Sequence, residues 1–119
     1  MAYGVIKTSE GREVALLANA LTKYRYRQVF GEDLMNELQS VTDSSAGAQA
    51  ALFEKLAYVM ATQAEKRSDK ASIDDFFDWL EGFGSGEILE SALDIVAIYQ
   101  SNQKGLSEVK NQDGPQSVK

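Results

Sequence analysis

The segment Ser72–Phe83, SIDDFFDWLEGF, contains the single tryptophan and three of the five phenylalanines of the chain. At 100° per residue, its apolar and acidic side chains separate onto two sides of a helix. The apolar stripe comprises Ile73, Phe76, Phe77, Leu80 and Phe83, and the other side carries Asp74, Asp75, Asp78 and Glu81. Ser72 can cap this helix by accepting a hydrogen bond from the backbone N–H of Asp75. We therefore predict a short amphipathic helix whose phenylalanines belong to a core.

A longer helix is predicted over Ala48–Lys66. One face carries Leu52, Phe53, Leu56, Val59, Met60 and Ala64, and the other carries Glu54, Tyr58, Glu65 and Lys66. This spacing is the apolar repeat of a helix. The interspersed alanines favour helix formation and allow close approach of another helix. We interpret this segment as the central helix, with Tyr58 on its polar side.

Three further helices are predicted from apolar spacing and capping signals. They cover about Asn19–Phe30, ended by Gly31; about Glu32–Gln39; and about Glu87–Gln103. A polar connector, Val41–Gly47, precedes the central helix, which Ser44 or Ser45 can cap.

The last predicted helix has an unusually wide apolar arc. Its centre is Ile88, Ala92, Ile95 and Tyr99, with Leu89, Leu93 and Val96 on one flank and Ile98 on the other. A helix on the surface of a monomer typically shows a narrower stripe. The helix is therefore either central to the fold or packed against a second chain.

The two ends of the chain differ from this helical pattern. Tyr3–Lys7 and Arg12–Leu17 flank a turn at Thr8–Gly11, which is compatible with a short β-hairpin. Residues 105–119 lack apolar periodicity, and their polar composition predicts a disordered tail. The expected fold is mainly all-α: one small domain of four to five helices over residues 1–104, followed by the tail.

Composition narrows the function classes. The chain has no cysteine and no histidine, which removes disulfides, the usual zinc ligands and the commonest general base. We therefore expect no enzyme, no catalytic residue, no cofactor and no metal. A net charge of −6 disfavours broad attraction to nucleic acid or to an anionic membrane, so the expected partners are proteins. The N-terminus lacks signal-peptide features, and the cytoplasm is the expected compartment.

Three local patterns could carry chemistry, but each has a simpler structural explanation. The basic and aromatic run Lys23–Arg27 could bind single-stranded nucleic acid, yet on a helix its side chains scatter around the axis. The carboxylates of Asp74, Asp78 and Glu81 lack a calcium loop and fit a solvated face. The glycines of Gly82–Gly86 lack the end of a P-loop and fit a turn between helices.

Contact with a protein partner is the remaining candidate role for individual residues. Trp79 lies about 100° from the centre of its apolar stripe, at the boundary where aromatic side chains are often found in interfaces. The candidate partner-binding residues are Trp79, Tyr58, Phe83, Leu89, Leu93 and Ile98.

Residues 13–103 resemble a known family. The carrying segments are LLANALTKYRYRQVFGEDLM, LFEKLAYVMATQAE and SIDDFFDWLEGF, followed by an apolar helix and a polar tail. In this order they resemble the tail assembly chaperones of long-tailed phages that infect Gram-positive bacteria. The resemblance implies a protein that binds the tape measure protein and keeps it soluble while tail tube subunits polymerise, and that is absent from the finished virion.

The resemblance also implies a longer product made by ribosomal frameshifting near the end of the reading frame. Val109-Lys110-Asn111 can be encoded GTA-AAA-AAC, which contains the slippery heptamer A-AAA-AAC. The expected partners are thus the tape measure protein, the tail tube protein, the longer form and further copies of the chain. The alternative from a different class is an acidic helical adaptor or regulator, such as an antirepressor-like protein.

Overall fold

The computed structural model describes residues 1–101, which form an antiparallel β-hairpin followed by five helices. The elements are β1 (Ala2–Lys7), β2 (Glu13–Ala18), α1 (Thr22–Phe30), α2 (Leu34–Gln39), α3 (Ala46–Ala64), α4 (Ile73–Glu81) and α5 over residues 92–101. Short 3₁₀ turns occupy Val41–Asp43, Ser68–Lys70 and Leu89–Ser91. The predicted mainly helical fold with an N-terminal hairpin is confirmed. The predicted tail, the domain limit at residue 104 and the frameshift site lie outside the described residues.

The hairpin forms because its turn satisfies its own backbone groups. The N–H of Thr8 donates to the carbonyl of Arg12 at 2.8 Å, and the N–H of Gly11 donates to Thr8 at 2.9 Å. Gly11 adopts a φ of +84°, which glycine reaches without the steric cost that other residues carry. Ile6 and Leu16 on the inner face are fully buried, and β2 lies directly on α3.

Helix α3 is the centre of the molecule, and neighbouring elements enclose its second half. Residues 56–63 are all buried, beneath β2, α1, α2 and α4. The side-chain amide of Gln63 donates to the carbonyl of Leu17 at 2.7 Å and to the hydroxyl of Thr22 at 2.9 Å. One buried side chain therefore joins the end of β2, the start of α1 and the end of α3.

The position predicted for Tyr58 is wrong. Tyr58 is completely buried, because α4 covers the side of α3 that the sequence pattern marked as polar. The hydroxyl is the one polar atom of this side chain and needs a hydrogen-bond partner in a buried position, while the ring packs against its neighbours.

Most helix ends lie where capping residues predicted them. Ser45 accepts from the N–H of Ala48 at 3.2 Å, and Ser72 accepts from the N–H of Asp75 at 3.0 Å. Gly31 ends α1 with a φ of +72°. Helix α1 begins later than predicted, because Asn19 instead forms a turn by accepting from the N–H of Leu21 at 2.9 Å.

The last helix also begins later than predicted, at residue 92 instead of Glu87. Gly86 has a φ of +82°, and a 3₁₀ turn intervenes before the α-helix. The centre of its apolar arc, at Ile88, Ile95 and Tyr99, is buried within this same chain. Contacts within the chain therefore account for the centre of the arc, whereas Leu93 on its flank is 87% exposed.

Strand β1 packs closely against α5 at Gly4. A Cβ atom built on Gly4 would lie 2.7 Å from Cδ1 and 2.9 Å from Cγ1 of Ile98. Both distances are shorter than van der Waals contact allows, so the absence of a side chain at Gly4 permits this approach. Ile98 consequently belongs to the contact between the hairpin and the last helix.

We predict that Gly4→Ala lowers the free energy of unfolding by about 1–3 kcal/mol, because the added methyl overpacks the contact with Ile98. The cost should be smaller in an Ile98→Ala background, where space is available. Urea denaturation of the wild type, both single variants and the double variant measures this coupling. Additive effects of the two substitutions would contradict the close packing.

Candidate protein-binding surface

Helix α4 is rotated about its own axis relative to the orientation that its sequence predicts. Phe76 is buried, and Trp79, Leu80 and Phe83 are partly buried, whereas Ile73 is 43% exposed and Phe77 is 60% exposed. The inward side of the helix therefore lies closer to Trp79 than to the centre of the apolar stripe. The prediction that Phe77 belongs to the core is wrong, and the prediction that Trp79 is at a boundary agrees with its partial burial.

A polar cluster between α3 and α4 accounts for this rotation. The hydroxyl of Tyr58 donates to Oδ2 of Asp75 at 2.5 Å and accepts from the N–H of Ser72 at 3.2 Å. Nη1 of Arg67 donates to the same carboxylate oxygen at 2.8 Å. Asp75 is therefore held against α3, although the sequence pattern placed it among solvated acids. Because Asp75 faces α3, the helical spacing places Trp79 toward the core and Phe77 toward solvent.

The pKa values of the two partners reflect their contact. Burial raises the pKa of Tyr58 to about 12, and the hydrogen bond to Asp75 adds to this increase. The hydrogen bond from Tyr58 is the main cause that lowers the pKa of Asp75 below its ordinary 3.8, and the charge of Arg67 contributes against the opposing effect of burial. The cluster is thus most stable with a neutral phenol and an ionised carboxylate.

Aromatic rings continue from this cluster toward the surface. Tyr58 lies 5.3 Å from Phe76 and 5.6 Å from Trp79, measured between ring centroids, and Trp79 lies 4.8 Å from Phe83. Three predicted partner-binding residues, Tyr58, Trp79 and Phe83, are therefore in one group. Tyr58 forms its buried end and exposes no surface to a partner, whereas Trp79 and Phe83 are partly exposed.

The buried carboxylate of Glu87 anchors the Phe83 end of this aromatic group. Oε2 of Glu87 accepts from the hydroxyl of Thr8 and from Nε of Arg12 at 3.1 Å, and Oε1 accepts from the N–H of Gly84 at 2.8 Å. Burial alone would raise the pKa of Glu87, but these donors and the charge of Arg12 outweigh it and lower the pKa. The Arg12 guanidinium also lies 5.0 Å from the centre of the Phe83 ring. The hairpin turn thereby holds the C-terminal end of α4.

The outer face of the hairpin is a second exposed apolar surface. Tyr3 is 66% exposed and Val5 is 51% exposed, and they pair with Leu17 and Ala15 of the neighbouring strand. Among the described residues, β1 pairs only with β2, so its other edge faces no strand. These residues were not predicted as candidates. The available signal was that both strands are apolar at consecutive positions, which exceeds what one buried face requires.

The other predicted residues are spread along the C-terminal segment. Leu89 and Ile98 are partly buried against the core, whereas Leu93 is 87% exposed. The structure therefore does not bring all six predicted residues into one surface. It leaves Phe77 and Ile73 as exposed apolar residues beside the aromatic group that contains Trp79.

The basic run on α1 is divided between two places, because Lys23, Tyr24 and Arg27 line one small pocket and Arg25 borders another. Tyr26 is buried and donates its hydroxyl to Glu37, whereas Tyr24 is exposed and lies beneath the Lys23 ammonium. Arg25 borders a polar pocket of about 380 Å³ together with Asn19, Gln63, Lys66, Ser68 and Asp69. Since two cations and one carboxylate line it, the pocket lacks the uniform positive charge of a phosphate-tracking groove.

Two further site types were sought in residues 1–101. No group of three or more histidine, cysteine, aspartate or glutamate side chains there could hold a metal ion. Within the same range, none of the helices combines the length and apolar character needed to cross a bilayer. The exposed large apolar side chains of the described residues include Tyr3 and Val5 of the hairpin, Ile73 and Phe77 of α4, and Leu93 of α5.

A scan against protein-family models, a search of curated proteins and a search of solved structures found no match to this chain.

Because of the rotation of α4, the adjacent residues Phe76 and Phe77 differ in burial. We predict that Phe76→Ala lowers the free energy of unfolding by about 3–5 kcal/mol, because it empties a buried site. Phe77→Ala should change it by less than about 1 kcal/mol, because most of that ring is exposed. Urea denaturation compares the two variants. Equal costs would contradict the observed rotation.

The Tyr58–Asp75 hydrogen bond should be visible in the alkaline stability of the protein. Tyr58→Phe should lower the free energy of unfolding by about 1.5–3 kcal/mol at neutral pH, since it removes a hydrogen bond to a carboxylate. Because the pKa of Tyr58 rises from 10.0 to about 12 on folding, its stabilisation is complete below pH 10 and is lost as the pH rises toward 12.

The stability difference between wild type and Tyr58→Phe should therefore shrink over that alkaline range. Chemical denaturation at a series of pH values measures it. Tyr24→Phe is the matched control, because Tyr24 is exposed and should show no such change. A difference that stays constant with pH would contradict the role of the phenol.

Proposed function

We propose that this protein is a phage tail assembly chaperone that binds the tape measure protein and keeps it soluble during assembly of the tail tube, without remaining in the virion. The observation that carries the proposal is the exposure of large apolar side chains on α4 and on the outer face of the hairpin. The resemblance of residues 13–103 to such chaperones supplies the identity of the partner. The host cytoplasm is the proposed site of action.

The geometry supports binding to an apolar protein surface. Ile73 and Phe77 are held outward by a helix whose orientation is fixed on its inner side by Asp75 and Trp79. A rigid helix that presents apolar side chains four residues apart matches the way in which helices bind amphipathic partners. Binding would cover apolar surface that otherwise contacts water, and the partner would gain protection from aggregation in the same contact.

Further copies of the chain are also part of the proposal. Within the part of the chain that the structure describes, the outer edge of β1 pairs with no strand and offers backbone groups for pairing, and Tyr3 and Val5 extend an apolar face beside it. Unprotected edges of this kind readily add another strand. We propose that the protein forms a homo-oligomer, and that a longer frameshifted form joins it and contacts the tail tube protein.

The proposal predicts that the tape measure protein is a very long helical protein encoded immediately downstream, and co-expression with that neighbour tests the function. We expect that this protein raises the soluble fraction of its neighbour and co-purifies with it. An Ile73→Ser/Phe77→Ser variant should lose at least half of this effect, because it removes the apolar contact while the core stays intact. The measurement is the soluble yield of the neighbour with and without each variant.

Tyr24→Ser is the matched control, because Tyr24 is an aromatic residue of similar exposure on a different helix. This variant should retain the chaperone effect. If the solubility of the neighbour is the same with and without the protein, the proposed function is wrong. A stable dimer that binds one compact regulatory protein would instead favour the adaptor class.

A further inference from the structure

We propose that α4 recognises an amphipathic helix whose apolar side chains are flanked by lysine or arginine. The inference rests on the proposed function and specifies the chemistry of the partner segment. It is carried by the arrangement of two rows of side chains on the exposed side of α4. One row is apolar and the adjacent row is acidic.

The apolar row consists of Ile73 and Phe77, which are four residues apart and therefore adjacent along the helix surface. The acidic row consists of Asp74 and Asp78, also four residues apart, and Glu81 continues it beside Phe77. All three acids are exposed. Because each acid is turned farther from the core than the apolar row, a helix lying on Ile73 and Phe77 brings its outer flank over the carboxylates.

The three carboxylates are available for a partner. None of them forms an ion pair among residues 1–101, in contrast to Asp75, whose carboxylate is held by Arg67 and Tyr58. The nearest cations of the preceding turn, Arg67 and Lys70, act on Asp75. The outer flank of α4 therefore presents uncompensated negative charge on a protein whose net charge is already −6.

Charge decides between the occupants of this surface. The acidic row repels nucleic acid and anionic membranes, and it repels an acidic helix for the same reason. A helix with apolar residues at a spacing of four and basic residues beside them satisfies both rows together. Helix α4 has nine residues and is about 13 Å long, so the contact covers two to three turns of the partner.

Two synthetic, helix-stabilised peptides test the inference. They share the same apolar positions and differ only in their flanking residues, which are lysine in one and glutamate in the other. Fluorescence anisotropy of labelled peptides at low and high salt measures binding to the full chain. We expect the lysine peptide to bind more tightly, and its advantage over the glutamate peptide to fall as salt rises.

Charge reversal on the protein completes the test. Asp78→Lys/Glu81→Lys should weaken binding of the lysine peptide about tenfold, as expected for the loss of two surface ion pairs. The same variant should bind the glutamate peptide more tightly. These positions are in the last turn of α4, where the helix dipole favours cations, so the substitutions preserve the helix. Asp43→Lys/Asp94→Lys is the matched control, because it changes the net charge equally at exposed acids outside α4 and the hairpin turn.

The outcomes separate this inference from the proposed function. Equal binding of the two peptides, absence of binding by both, or equal weakening in the control variant overturns the inference. If the downstream protein is nevertheless kept soluble, the proposed function stands without it. If the charge preference holds but the downstream protein gains no solubility, the proposed function fails and α4 serves another basic helix.

Discussion

The hydrogen bond between Tyr58 and Asp75 determines which part of α4 faces water. Without it, the strongest driving force on α4 would be burial of its whole apolar stripe, including Ile73 and Phe77. A buried phenol requires a partner, and Asp75 supplies one while Arg67 compensates its charge. Because the buried hydroxyl of Tyr58 needs Asp75 as its partner, Ile73 and Phe77 stay exposed. Those residues become the exposed surface on which the proposed function depends.

A second buried polar group holds the hairpin in place. The Glu87 carboxylate is almost fully buried and accepts from Thr8, Arg12 and the backbone of Gly84. A buried carboxylate is tolerated only when donors and an opposite charge surround it, so the turn of the hairpin and the glycine-rich turn must come together. Gln63 has the equivalent role at the opposite end of the hairpin, where it joins Leu17 to Thr22. A two-stranded sheet that would be marginal alone is thus anchored at both ends.

Local signals in the sequence were sufficient for the elements of the fold, but not for their orientation. Ser45, Ser72, Gly11 and Gly31 act through neighbouring backbone groups, so their roles could be predicted from sequence. Periodicity shows which residues share a helix face and favours burial of the apolar face, but it does not fix the final rotation of the helix against its neighbours. For α4, that rotation depends on a contact with Tyr58, which is 17 residues away. Phe77 was consequently assigned to the core.

The same limitation explains the candidate site residues. Residues 56–63 of α3 are all buried, so the polar face predicted around Tyr58 does not face solvent. Trp79 was predicted from its ring size and its boundary position, and it lies with Phe83 at the partly exposed edge of the aromatic group. The exposed hairpin residues were missed because Tyr3 and Val5 look like ordinary strand residues. What distinguishes them in the structure is that no other element of residues 1–101 covers that face of the sheet.

The contacts that anchor the hairpin also set the order in which the chain can fold during synthesis. Thr8 and Glu87 are 79 residues apart, and Gly4 meets Ile98 still later in the chain. The N-terminal strands therefore leave the ribosome long before their partners exist. Such distant closures are late and slow compared with helix formation. Until residue 98 emerges, the nascent chain carries two apolar strands without their complete support, and the protein itself passes through a state that is prone to aggregation.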